Sequence, residues 1–258
     1  MSEKNDRRIL VLIPCLNEKG RIGNVVASVK EAMPGCRVVV VDDSSSDDSG
    51  REALRAGATV LRHSSNLGYG ASLETGYRYA VRHGYDVVLQ MDADGQHPAS
   101  ELPPLLGALS EESVDVILGS RYSSPDAAAG VPPVRRFAHR LLSGMLYSLT
   151  RLRLTDPTSG FQALNARAFT FFASGVFPCD YPDSDVILMA HMAGLRIREV
   201  PVTMLPRASG KSMHSGLRPV YYAMKMLLAM FVVLLNFHAW RRWRRKDRSA
   251  TTDKENDK

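Results

Sequence analysis

The chain has 258 residues, 45% of them apolar and 23% charged, enough to bury a core in one globular domain with additions. Its formal charge of +6 is concentrated in one place, since residues 241–248 (RRWRRKDR) hold six basic side chains and one acidic one; with no recognised module beside that block, the charge argues against nucleic-acid binding. Three scattered cysteines, Cys15, Cys36 and Cys179, form no C-x-x-C pair, which argues against a disulfide framework or a thiolate metal centre and fits a reducing cytosolic setting.

The start, MSEKNDRR, is polar, and the apolar run after it is too short for a secretory leader. Ile9–Ile13, Arg37–Val41 and Val87–Met91 are short, β-branched-rich runs bounded by Pro, Gly or Asp. They are predicted strands, buried on both faces. Between them, the stretch 18–32 sets Ile22, Val25, Val26 and Val29 at helical spacing, and 47–56 and 71–83 are also predicted helices. Such alternation predicts an α/β fold with a parallel sheet built by right-handed crossovers. Val114–Leu118 and Arg196–Val200 are predicted to add strands. A Pro/Ala/Gly-rich loop over 123–133 precedes a helix expected over Arg136–Leu149, either a core helix or a membrane-facing one.

Val220–Phe237 is an apolar run of 18 residues interrupted by Lys225 and Asn236, near the lower limit of roughly 17 residues for crossing a bilayer. Trp240, Trp243 and the basic block follow it directly, the pattern of a headgroup-level anchor on the cytoplasmic side. A helix lying in the interface and a helix that spans are both compatible with this pattern. The expected organisation is a catalytic domain over 1–213, a hydrophobic membrane-associated helix over 214–240, and a basic, then polar, disordered tail over 241–258.

The most informative stretch is Gln90-Met91-Asp92-Ala93-Asp94-Gly95-Gln96-His97-Pro98, directly after an apolar strand. Ligands bind at the carboxyl ends of strands in parallel α/β sheets, so Asp92 and Asp94 stand where a site would be. Two adjacent carboxylates repel unless a cation lies between them. Oxygen ligands favour a hard ion, Mg²⁺ or Mn²⁺, which takes its remaining ligands from water and a substrate diphosphate.

Several motifs occur in a fixed order: Ile13-Pro14 with Asn17-Glu18, Val41 to Asp47 (V-D-D-S-S-S-D), Asn66 with Gly68, and Asp92 to His97. They continue with Asp156-Pro157-Thr158-Ser159-Gly160-Phe161, Glu199-Val200-Pro201-Val202, and Arg207, Gly210 and Ser212. Together, over about residues 8–213, they resemble family 2 GT-A glycosyltransferases, and in particular the dolichyl-phosphate mannose synthase and polyprenyl-phosphate hexose synthase group.

The resemblance implies a GT-A, Rossmann-like domain that moves a hexose, with inversion, from a UDP- or GDP-sugar to a polyprenyl phosphate at the cytoplasmic membrane face. It implies that Pro14, Asn17, Glu18, Asp42, Asp43, Gly68, Asp92 and Ala93 hold the nucleotide-sugar. Asp92 and Asp94, with Gln96 as a third oxygen, would bind the metal. Arg121, Arg140, Ser143, Arg207 and Ser212 would grip the acceptor phosphate, and Asp183 would stand near the sugar or acceptor. Asp94, Arg121, Arg207 and Asp183 form the implied catalytic set, and Ser159-Gly160-Phe161 would shape the sugar pocket. Asp47 reads equally as a nucleoside contact and as a helix cap. The chain departs from the family pattern at His139, where the family has Arg, and at Met213, where Lys is common. A membrane-protein partner or a homo-oligomer is a further expectation. Two other readings are a sugar transfer to a hydroxyl acceptor, against which the missing Q-x-x-R-W element argues, and a non-catalytic nucleotide-sugar-binding subunit.

Overall fold

The computed structural model describes residues 7–111, 113–122, 143–179, 182, 184–205, 218–236, 238–240, 242–244 and 247. Among the described residues seven strands form one sheet: β1 (Ile9–Cys15), β2 (Arg37–Asp42), β3 (Thr59–Arg62), β4 (Val87–Gln90), β5 (Val116–Ser120), β6 (Gln162–Asn165) and β7 (Ile197–Pro201). Their order is β3-β2-β1-β4-β6-β5-β7. Neighbours run parallel except for β6, which is antiparallel to both β4 and β5. Around the sheet pack α1 (Ile22–Ala32), α2 (Ser49–Arg55), α3 (Tyr69–Arg82), α4 (Leu102–Glu111), α5 (143–150), α6 (Ala166–Phe172), α7 (Ser184–Met192) and α8 (Arg218–Leu235).

The buried runs foreseen in β1, β2 and β4 are buried because the period-two pleat feeds two cores. Leu10, Leu12, Val39, Val41 and Val88 face one side, with Leu73 and Tyr77 of α3 and the aromatic residues of α6. Val11, Ile13, Val38, Val40 and Leu89 face the other, with Ile22, Val25 and Val29 of α1. Because β2, β1 and β4 are adjacent and parallel, the loops that leave their carboxyl ends converge on one edge.

Of the two forms left open for the C-terminal helix, the structure bears on the span. Among the described residues no helix is long and apolar enough to cross a membrane. Helix α8 instead turns Met226, Met230 and Val233 inward. Trp240 is buried, its indole N–H donates to the Val233 carbonyl at 2.8 Å, and both Trp240 and Trp243 stack edge-on against Phe171 of α6. These rings, read from sequence as headgroup anchors, pack against the aromatic residues of α6. Nor is the whole tail beyond 240 loose: residues 242–244 are helical, and Asp247 accepts from Arg167 Nε at 2.7 Å. The foreseen helix over 136–149 is described only at 143–150, and the loop over 123–133 lies outside the described residues.

Candidate active site

A cavity of about 540 Å³ opens where the loops after β1, β2 and β4 meet, and Pro14, Glu18, Asp43, Gly68, Asp92, Ala93 and Asp94 all line it. Seven residues named from sequence therefore share one wall.

Asp43 is the hub of the β2 end. It is 3% exposed, and its Oδ1 accepts from the Leu67 N–H while Oδ2 accepts from the Gly68 N–H, both at 2.8 Å. Two backbone donors of the β3–α3 loop thus meet this carboxylate. Gly68, at φ +100°, takes a conformation that a side chain would strain, which is why a glycine enters α3 here. Glu18 also reaches the cavity, its carboxylate 2.7 Å from Arg21 Nε.

Asp42 does not line the cavity. It is fully buried on the opposite pleat, where Oδ1 accepts the Ser45 N–H at 2.9 Å. Asn17 is likewise turned to the β2–α2 loop: its N–H donates to Ser45 Oγ at 3.0 Å and its Oδ1 accepts the Ser46 N–H at 2.9 Å. Both residues tie the two loops together. Asp47 does the same, accepting from the N–H groups of Lys19 and Ser49, while the N-cap position of α2 is Asp48, which makes no side-chain capping bond.

In the acidic loop, Asp92 and Asp94 each place one oxygen in a protein hydrogen bond. Tyr69 Oη donates to Asp92 Oδ1 at 2.8 Å, and the Gln96 N–H donates to Asp94 Oδ1 at 3.0 Å. His97 is buried, which lowers its pKa below the ordinary value. Its Nδ1 accepts the Asp92 N–H at 3.1 Å, pinning the loop from behind. Gln96 is not at the cavity wall, for its amide Nε2 donates to the Leu205 carbonyl at 3.4 Å and its own carbonyl accepts the Leu205 N–H at 2.9 Å. It stitches the acidic loop to the segment after β7 and is not placed as a third ligand.

The carboxylate pair fits a divalent cation. A Cβ on Gly160 would sit 3.1 Å from both Asp92 oxygens and 2.9 Å from Tyr69 Oη, so the absence of a side chain keeps this cradle open. Among the described residues no three His, Cys, Asp or Glu side chains gather to hold a metal by themselves. Two hard oxygens with the remaining positions left to water and a ligand's phosphates is the donor set Mg²⁺ or Mn²⁺ accepts.

Arg121 is committed elsewhere. Its Nε donates to Asp156 Oδ2 at 2.6 Å and one Nη donates to Oδ1 at 3.0 Å, the fork geometry of a bidentate pair with a fully buried carboxylate. Burial alone would lower its pKa, but the Asp156 bond and charge outweigh that and raise it. The Asp156 N–H in turn donates to Glu199 Oε1 at 2.6 Å, and the Thr155 N–H donates to Oε2 at 2.8 Å. The D-P-T-S-G-F and E-V-P-V motifs thus meet as one staple that holds the 158–160 loop at the cavity. Within that loop Thr158 and Gly160 reach the wall, while Ser159 points away and donates to the Gly119 carbonyl at 2.6 Å. Ser143 begins the described part of α5 and does not line the cavity. Arg140, Arg207, Ser212, Asp183, His139 and Met213 lie outside the described residues.

Several wall residues were not among the site residues named from sequence: Tyr69, Tyr77, Gln162, Phe177 and Gln90, the last standing at the head of the acidic stretch with no role given to it. Gln90 accepts from the Tyr77 hydroxyl and donates through Nε2 to the Gly160 carbonyl at 3.0 Å. A glutamine ending a β-branched strand was the one available signal, since a buried amide needs partners.

The cavity and its acid pair stand at the carboxyl end of β4, beside the point where antiparallel β6 interrupts the parallel strands, the kind of place where ligands bind in such sheets. The chain belongs to glycosyl transferase family 2, whose sequence model matches residues 10–174. It is 33% identical over 219 residues to an undecaprenyl-phosphate mannosyltransferase of Micrococcus luteus, covering 81% of this chain and 88% of that protein. It is 31% identical over 218 residues to a polyprenol monophosphomannose synthase of Mycolicibacterium smegmatis, covering 81% and 82%. Glucosyl-3-phosphoglycerate synthase from Mycobacterium tuberculosis, solved with Mn²⁺, uridine-diphosphate-glucose and phosphoglyceric acid, is similar in fold at a TM-score of 0.67. The two are 20% identical over 88% of this chain and 80% of that one.

Proposed function

We propose that the protein transfers a hexose, with inversion at the anomeric carbon, from a UDP- or GDP-sugar to a polyprenyl phosphate at the cytoplasmic face of a membrane. The observation that carries this reading is that Asp92 and Asp94 share one cavity wall with Asp43, so a diphosphate and its nucleoside are matched at the ends of β4 and β2, the two strands that flank β1. The named activities of the two curated relatives supply the acceptor class. A bound Mg²⁺ or Mn²⁺ would neutralise the charge that develops on the departing diphosphate.

The chain's own residues would do the rest. Asp92 and Asp94 hold the ion, Asp43 and Glu18 orient the nucleoside, and Gly160 admits the diphosphate beside Asp92. A lipid phosphate is already anionic and needs no strong base, so the protein's task is to align it and exclude water. Its phosphate is given to Arg121, Arg140, Ser143, Arg207 and Ser212, with Arg121 acting through the edge of its guanidinium that Asp156 does not take. Incubation with Mn²⁺, undecaprenyl phosphate and a panel of labelled UDP- and GDP-hexoses should move label into the organic phase for one donor. Label found only in water-soluble or polymeric products would overturn the acceptor.

The exposed side of α8 supports membrane association. Leu228, Phe231 and Leu235 are 63%, 56% and 66% exposed, an apolar face beside a basic segment, suited to lying in a headgroup layer. Release by alkaline carbonate is expected. The triple change of these residues to serine should cut co-sedimentation with phosphatidylglycerol vesicles about ten-fold, without loss of transfer to a short-chain, water-soluble polyprenyl phosphate. Unaltered co-sedimentation would remove α8 as the membrane contact.

A further inference from the structure

Behind Asp43 lies a hydrogen-bond chain that none of the motifs foretold. His63 Nδ1 is 2.7 Å from Asp43 Oδ1, and His63 Nε2 is 3.0 Å from Thr75 Oγ1. The histidine side chain is 9% exposed and the Asp43 side chain 5%. His63 follows β3 and Thr75 stands on α3, so the chain joins the ends of β2 and β3 to that helix. Neither His63 nor Thr75 lines the cavity.

An ionised carboxylate only accepts, so Nδ1 carries the proton toward Asp43; in the neutral ring Nε2 then accepts from the Thr75 hydroxyl. Asp43 Oδ1 therefore receives two donors, the Leu67 N–H and His63 Nδ1–H, which fill its lone pairs, whereas among the described residues Oδ2 receives only the Gly68 N–H. One acceptor site on Oδ2 is left in a buried group at the cavity wall, where an unmet acceptor is costly. A base N–H or a ribose hydroxyl would meet it. The carboxylate torsion of aspartate is broad when nothing holds it, and backbone donors on one edge leave the plane free to tilt.

We infer that His63, itself oriented by Thr75, is a positioning residue that fixes the plane of Asp43 and so sets affinity for the nucleoside of the donor. This rests on Asp43 being the nucleoside contact proposed above. It acts before the chemical step, so it moves donor binding and KM and leaves kcat nearly alone.

The test is titration calorimetry of UDP and GDP, each with Mn²⁺, on the full chain and on His63→Leu, His63→Asn, Thr75→Val and Thr75→Ser, with melting temperature and transfer kinetics measured in parallel. His63→Leu should weaken the diphosphate that the unaltered protein binds about ten-fold and raise donor KM equally, as expected for loss of a charge-assisted hydrogen bond. Its kcat should stay within about two-fold. His63→Asn, which keeps an N–H at the Nδ1 position, should restore most of the affinity. Thr75→Val should lose about three-fold and Thr75→Ser should match the unaltered protein. A lowered melting temperature with unchanged diphosphate affinity in His63→Leu and Thr75→Val would reduce the chain to a structural clasp and overturn the inference, as would a collapse of kcat at constant KM. If the unaltered protein bound neither diphosphate, the donor-site reading itself would fail, a result separable from any behaviour of the variants.

Discussion

Replacing Asp92 or Asp94 with alanine is expected to lower sugar transfer by about a thousand-fold or more while the protein still folds. Both carboxylates lie at the cavity and Asp92 keeps 34% of its side chain exposed, so neither removal opens a cavity in the core. What is lost is charge where a dianionic leaving group must be held. One carboxylate cannot replace the other, because each already has an oxygen engaged, Asp92 by Tyr69 and Asp94 by the Gln96 N–H. Asn should rescue little, since an amide supplies the shape and one oxygen without the charge. Mn²⁺ binding followed by electron paramagnetic resonance in the presence of nucleoside diphosphate should fall in parallel, with melting temperatures within about 2 °C of the unaltered protein. Undiminished transfer in either variant would take the metal site out of this loop.

Asp156→Ala is expected to cost about 3 kcal/mol of stability and to lower the melting temperature by about 10 °C. The carboxylate is fully buried and takes both arms of the Arg121 fork. Removing it leaves a guanidinium half-sunk in the fold with its partner gone. Arg121 keeps 28% of its side chain exposed, so water softens the penalty below that of a fully enclosed ion. Activity should fall too, because the same turn carries Thr158 and Gly160 to the cavity and Gly160 packs against Asp92. In a double-mutant cycle Asp156→Ala should cost far less on an Arg121→Ala background, since the stranded charge is then absent. Equal costs on both backgrounds would mean that the pair contributes nothing.

This second case shows how the motifs divide. Asp92, Asp94, Asp43, Glu18 and Gly68 were legible as site residues and do meet at one wall. Asp42, Asn17, Gln96 and Arg121 belong to the same motifs, yet the structure engages them in holding loops. A recurring pattern marks residues that a site needs without separating those that face a ligand from those that support the ones that do.

By itself the sequence determined the strands over 9–13, 37–41 and 87–91, their parallel arrangement and the acidic pair at the end of the third. Those features are written in neighbouring residues: a strand buried on both faces must be a short β-branched run, and its carboxyl end must pass into a polar loop. Only the tertiary structure decided the rest. Strands β3 and β6, each four residues long, lack any run distinctive enough to read. Which of Asp42 and Asp43 reaches the cavity depends on the pleat of β2, fixed by α2 lying over one face and α3 over the other. The partners of Arg121, Gln96, His63 and Trp240 come from elsewhere in the topology, for a side chain's contacts are chosen by how distant segments pack against it and not by the residues beside it in the chain.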